Sequence, residues 1–209
     1  MENLPIIIAS ISLVLTLLTF YLTQLRPAKI DILIGPEIRI YYADYPNNST
    51  GLYIPMSFVN SSASLGTIYK CAISINRNDS KKKRYFMLWR EFSKIGGDGN
   101  WTFDSQAHSF AVPGKSSISK TAWYIWLSGS SPKFHFKEGD YSLIVHAWMG
   151  TQKKPKNYSF GFNISSEEES MMNSRLKEES KKTLSIILNK QMGENKSLTE
   201  HESKVLLGT

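Results

Sequence analysis

The chain has 209 residues, with 25 Lys and Arg against 18 Asp and Glu, a net charge of +7 and one cysteine. A single cysteine, Cys71, excludes an intrachain disulfide and a thiolate metal cage. Residues 26–164 hold 18 basic and nine acidic side chains, whereas residues 165–209 hold seven and eight, so the positive charge belongs to the middle of the chain and biases it towards anionic partners.

No charged residue lies between Glu2 and Arg26. The apolar run Leu4 to Leu25 is 22 residues, about 33 Å as a helix, enough to cross a hydrocarbon core of ~30 Å. Only residues 1–3 precede it, and they carry no Lys or Arg. The run is longer than a signal-peptide core, and no small-residue cleavage site precedes Arg26. These features predict an uncleaved transmembrane helix over 4–25.

From Arg26 the apolar period changes to two. "KIDILIG" and "EIRIYY" read as a first strand region, with Pro36 as a break. "PNNSTG" is a turn, and "LYIPMSFVN" puts Leu52, Ile54, Met56 and Phe58 on one face. After the turn "SSASLG", Tyr69, Cys71, Ile73 and Ile75 alternate in "TIYKCAISIN", which places the thiol among apolar neighbours as a buried, inert group. "RNDSKKK" is a polar tip before the extended run "RYFMLWREF". Beyond "GGDG" come short strands in "NWTF" and "HSFAV", the turn "PGKSS" and the long strand "ISKTAWYIWL". "FHF" and "YSLIVHAW" read as two strands flanking the turn "KEGD", and "YSFGFNI" follows the loop "GTQKKPKN".

Strands at this spacing, separated by Gly, Pro, Asn and Ser, define an antiparallel all-β domain over 26–164. Tyr141, between a turn and alternating Leu143 and Val145, matches the corner tyrosine of immunoglobulin-like sandwiches, which bonds back to the backbone. The expected fold is therefore an immunoglobulin-like antiparallel β-sandwich behind one N-terminal transmembrane helix. In residues 165–190, Ser166 and Glu169 stand at capping-box spacing for a polar helix, and "TLSIILNK" offers an edge strand. Residues 191–209 have no pattern and read as a disordered tail.

The anchor followed by "LRPAKIDILIGPEIRIYY", "IPMSFVNSSASLGTI", "MLWREF", "AVPGKSSISK" and "EGDYSLIVHAW" resembles prokaryotic membrane-anchored proteins of unknown function, over roughly Leu25 to Trp148. The resemblance implies a fold and a location. It rests on turns and strands and transfers no functional residue.

Motifs for chemistry are sparse. His108, His135, His146 and His201 have no metal-helix or His-x-His spacing, "GKSS" lacks the upstream glycine of a phosphate loop, and no serine sits in a Gly-x-Ser-x-Gly elbow. No cofactor and no nucleic-acid motif is predicted. Of five tryptophans, Trp89, Trp123, Trp126 and Trp148 lie in apolar runs that favour core packing; Trp123 and Trp126, three apart, point to opposite faces of a strand. Two loops carry basic clusters, Lys81, Lys82, Lys83 and Arg84 in one and Lys153, Lys154 and Lys156 in the other. Strict alternation of strand direction from the membrane places both loops at the remote end, as a tip that docks an acidic protein or another anionic partner.

Two signals bear on sidedness. Arg26 and Lys29 follow the span and the short amino end carries no cation, which predicts that the domain is cytoplasmic. Against this, eight of 12 asparagines (Asn47, Asn48, Asn60, Asn78, Asn100, Asn157, Asn163 and Asn195) head Asn-x-Ser/Thr sequons, as in a glycosylated extracellular domain. The insertion bias is physical, whereas a sequon needs an enzyme to read it, so the reading leans to the cytoplasmic face and keeps the other as its alternative. The leading expectation is a non-enzymatic, membrane-tethered binding or adaptor module. The alternatives are an extracytoplasmic glycan- or envelope-binding domain and a hydrolase built on His108, His135 and nearby acids.

Overall fold

The computed structural model describes residues 3–43, 49–79, 84–97, 100–127, 129–130, 133–150, 152–178 and 182–188. Lys81, Lys82, Lys83, Asn47, Asn48, Asn195, His201 and the predicted tail 191–209 lie outside the described residues.

Helix α1 spans Leu4–Phe20 and ends in a π-turn over Tyr21–Leu25. It is long and apolar enough to cross a membrane, and none of its residues is buried against the rest of the protein. Its hydroxyls are satisfied locally: Ser10, Thr16 and Thr19 donate to the carbonyls of Ile6, Ser12 and Leu15 at 2.8–2.9 Å. Such back-bonding lowers the cost of placing these three hydroxyls in lipid.

The rest is predominantly antiparallel β-structure. Strands β1 (Ile30–Ile34) and β2 (Glu37–Ala43) share one edge of β3 (Ser49–Asn60), divided at Gly35 and Pro36. Then follow β4 (Gly66–Arg77), β5 (Arg84–Ile95), β6 (Trp101–Gln106), β7 (Phe110–Val112), β8 (Ser116–Trp126), β9 (Gly139–Met149) and β10 (Lys156–Ile164). Helix α2 (Ser166–Lys177) and β11 (Leu184–Ile187) complete the described chain.

The strand order is β10-β9-β4-β5-β8-β3-β2-β11, with β1 also on β3, β6 on β5 and β7 on β4. One strand turns this sheet over on itself. The first residues of β5 pair with β4, its later residues pair with β8, and the register slips between Trp89 and Glu91. A bulge adds local twist and bends the strand. The end strands β10 and β11 consequently come into contact without pairing, and the domain is nearly closed.

Inward residues fill the interior. Leu52, Ile54, Met56 and Phe58 of β3 face Ile73 and Ile75 of β4, Tyr124 of β8, and Leu143 and Val145 of β9, all of them buried. Cys71 is buried too, which pushes its thiol up to about 12. One expected face is wrong: Tyr69 is 51% exposed, because the pairing of β4 with β9 slips between Ile68 and Lys70 and reverses the alternation there.

The segment "FHF" is not a strand. Phe134 and Phe136 are buried, but residues 133–137 have no ladder partner, and side chains satisfy their backbone instead. Thr50 donates to the Phe134 carbonyl, and Phe136 N donates to the Tyr42 hydroxyl at 2.8 Å. The Tyr141 hydroxyl accepts from Lys137 N at 2.9 Å and donates to the Lys137 carbonyl at 3.0 Å, which is the expected return to the backbone. Helix α2 starts one residue earlier than its sequence signature. Ser165 is the cap and pairs reciprocally with Glu168, which frees Glu169 to accept from Glu138 N at 2.6 Å.

Candidate functional site

Removing "FHF" as a strand inverts every direction after it. Ile68 of β4 lies beside Met149 of β9, and Arg77 lies beside Tyr141. The loop after β9, with Lys153 and Lys154, therefore sits at the start of β4, and the loop between β4 and β5 sits at the other end, about 36 Å of strand away. Among the described residues, Arg84 and the loop with Lys153 and Lys154 form no common tip. Arg84 stands exposed at the far end, opposite Asn76.

The near end is where α1 emerges. Arg26 and Lys29 are exposed in a short stem between helix and β1. Ser64 Oγ donates to the Arg26 carbonyl at 2.6 Å, Ser61 N donates to the Lys29 carbonyl at 3.0 Å, and Lys29 N donates to Ser62 Oγ at 3.1 Å. The stem is thus stitched to the β3–β4 turn. Asn60, only 1% exposed, holds that turn: its Nδ2 donates to the carbonyls of Ser64 (2.8 Å) and Val112 (3.0 Å), and its Oδ1 accepts from Ser62 N (3.1 Å). A glycan on this nitrogen is incompatible with the fold, so one of the eight sequons is structural. The β7–β8 turn packs on the same place so tightly that a Cβ on Gly114 would sit 1.9 Å from the Ala63 carbonyl oxygen.

This arrangement gathers Arg26, Lys29, Lys115, Lys153, Lys154 and Lys156 at one end. Among the described residues the sequence places one acid near them, Asp31, which Lys156 engages at 3.0 Å. That hydrogen bond holds the Asp31 carboxyl below its ordinary value.

A second feature lies on the outer face of β2, β3 and β8. The rings of Tyr41 and Tyr53 stack at 5.4 Å, Tyr53 and Trp101 stack at 4.6 Å with planes 9° apart, and Trp123 Nε1 donates to the Tyr41 hydroxyl at 2.7 Å. Burial pushes the Tyr41 phenol up. Beside them a groove of about 760 Å³ is lined by Trp101, Glu37, Arg39, Lys94, Asp104 and Lys120, among others. Its charges pair internally, Arg39 with Glu37 at 2.7 Å and Asp104 with Lys120 at 3.2 Å. Trp123 faces this surface, whereas Trp126 packs edge-on against Tyr85 and the core.

A third constellation escaped the sequence reading because it exists only through register. Ser74 Oγ lies 2.9 Å from His146 Nε2, and His146 Nδ1 lies 2.7 Å from Asn157 Oδ1. Nucleophile, base and orienting group are arranged in this order in acyl-transfer enzymes. Here Ser74 is 1% exposed and sits mid-strand between paired neighbours, with no pair of free amides to receive an oxyanion. The chain is a cross-strand hydrogen-bond relay. His108 packs on Phe92 of β5 and His135 on Tyr42 of β2, with β8 and β3 between those strands, so the two do not converge. Among the described residues no group of three or more His, Cys, Asp and Glu could hold a metal.

No family model and no curated protein matches the chain. Similar solved structures are remote. An X-ray structure of a Northeast Structural Genomics Consortium target is 8% identical at a TM-score of 0.35, covering 84% of this chain and 98% of that one. A family 123 glycoside hydrolase from Clostridium perfringens is 10% identical at 0.32, covering 65% of this chain and 27% of that one.

Proposed function

We propose that this chain is a single-pass, membrane-tethered binding module without enzymatic activity, its β-domain an immunoglobulin-like sandwich held against the cytoplasmic face. The observation that carries the tether is α1 with its continuation: an uncharged, strongly apolar helical stretch of 20 residues, Leu4–Thr23, none buried in the protein. Exposed to water, such a surface is strongly unfavourable, and lipid removes the cost. Arg26 and Lys29, immediately after the span, favour retention of that end in the cytoplasm. The buried Ser74 hydroxyl and the separation of His108 from His135 weigh against a hydrolase. Confinement to a plane raises the effective concentration of membrane partners, so weak contacts suffice.

Protease added to intact cells tests the assignment. The domain should resist until lysis, while the chain stays with membranes through alkaline extraction. Cleavage without lysis contradicts the cytoplasmic side, and release by alkali contradicts the span.

The Tyr41–Tyr53–Trp101 stack favours a second reading, in which the adjoining groove receives the face of a sugar ring in an extracytoplasmic setting. A panel of envelope oligosaccharides, read by tryptophan fluorescence in the wild-type chain and Trp101→Ala, decides it. Saturable quenching lost in the variant supports the reading; no saturable change across the panel rejects it.

A further inference from the structure

Between α1 and the β3–β4 turn lies a cleft of about 270 Å³. Its lining runs from Leu22, on the last apolar turn of the helix, through Arg26 and Lys29 to the Ser61 and Ser62 hydroxyls and Lys115. Three cations therefore share one small space, and no carboxylate is part of the lining. Asp31, which follows on β1, is already engaged by Lys156.

Lys115 is held in place by an unusual backbone. Its φ is +54°, in the left-handed region that disfavours side chains other than those of Gly, Asn and Asp. Its amide donates to the Ser62 carbonyl at 2.8 Å, and its ammonium to the Ser61 carbonyl at 2.6 Å. A glycine would suit this turn better by conformation alone. The lysine brings a third charge towards Arg26 and Lys29, which is unfavourable until an anion arrives.

We propose that this cleft binds the phosphate of an anionic phospholipid headgroup, drawn from the leaflet in which α1 ends. Arg26, Lys29 and Lys115 bind the phosphate oxygens, and Leu22 lies along the glycerol and upper acyl chain. The exposed ammonium groups of Lys153 and Lys154 add surface attraction at the same end. An apolar wall within a basic cleft favours a lipid over a soluble phosphate. The proposal rests on the reading of α1 as a membrane span, because that span sets the cleft at headgroup depth.

The test reconstitutes the full chain in vesicles of phosphatidylcholine with or without phosphatidylglycerol. Flotation reports the span, and amide hydrogen exchange in the 61–65 and 113–116 turns reports the cleft. Exchange should slow with phosphatidylglycerol by roughly fivefold per engaged cation, the factor that corresponds to surface attraction on one juxtamembrane side chain. Lys115→Gly, which fits the backbone at this turn, should reduce the slowing by about fivefold, and Arg84→Glu at the far end should leave it unchanged. Equal exchange in both vesicles with normal flotation overturns the headgroup site alone. The same slowing from soluble glycerol phosphate over phosphatidylcholine overturns it in favour of a free anion. Failure to float overturns the span and the site together.

Discussion

At the helix end of the β-domain, short side chains hold the turns and cations outnumber acids; at the far end, tyrosines hold a strandless segment and the charges of the described residues are mixed. Asn60, Ser61, Ser62 and Ser64 satisfy one another's backbone near α1. Tyr42 and Tyr141 do so for residues 136–137 at the other end. There, Arg77 meets Asp79 at 3.1 Å, and Glu169 of α2 accepts from Glu138 N. The contrast separates architecture from interaction. Both ends are well satisfied internally, but among the described residues the helix end gathers mostly one sign of charge on exposed side chains.

Substitutions that remove one end's fastening should expose that difference. Asn60→Ala removes three hydrogen bonds, one of them to the buried Val112 carbonyl, and should cost the most, about 3–5 kcal/mol in urea unfolding of the detergent-solubilised chain. Its hydrogen-exchange signature should be confined at first to the 61–66 and 113–116 turns; uniform loosening would mean that the two ends are not independent. Gly114→Ala forces a Cβ into the Ala63 carbonyl and should cost about 2–3 kcal/mol, with the same local signature.

Tyr42→Phe and Tyr141→Phe act at the other end. Each should cost about 1–2 kcal/mol and speed exchange around 134–138 without touching the helix exit. The smallest effect is electrostatic. The hydrogen bond from Lys156 lowers the Asp31 carboxyl, so its contribution is complete above the ordinary carboxylate range and is lost as pH falls through its lowered value. An acid titration of Asp31→Asn should lack that last increment of destabilisation, while the wild type shows it.

The β-character was legible because alternation survives locally. Leu52, Ile54, Met56 and Phe58 share the inner face as their spacing predicts. Alternation failed where the backbone departed from a regular ladder. The slip beside Ile68 turns Tyr69 outward, and Phe134 and Phe136 are buried without being strand residues. The second failure had the larger consequence, since a phantom strand moved the Lys153–Lys154 loop to the wrong end. Arg26 and Lys29 were legible from their place after the apolar run, but Lys115 was not. Its part in the cleft depends on two turns that meet across 54 residues of sequence. The Ser74–His146–Asn157 relay likewise needs the register of three strands.

With α1 in a bilayer the molecule is polarised, the Lys153 loop beside the lipid and Arg84 remote from it. Single labels at Lys153→Cys and Arg84→Cys test this directly in anionic vesicles, since the native Cys71 is buried and its thiol is pushed up to about 12. A quencher carried on lipid headgroups should extinguish the label at position 153 and spare the one at 84. Equal quenching at both positions, or stronger quenching at 84, would contradict the account.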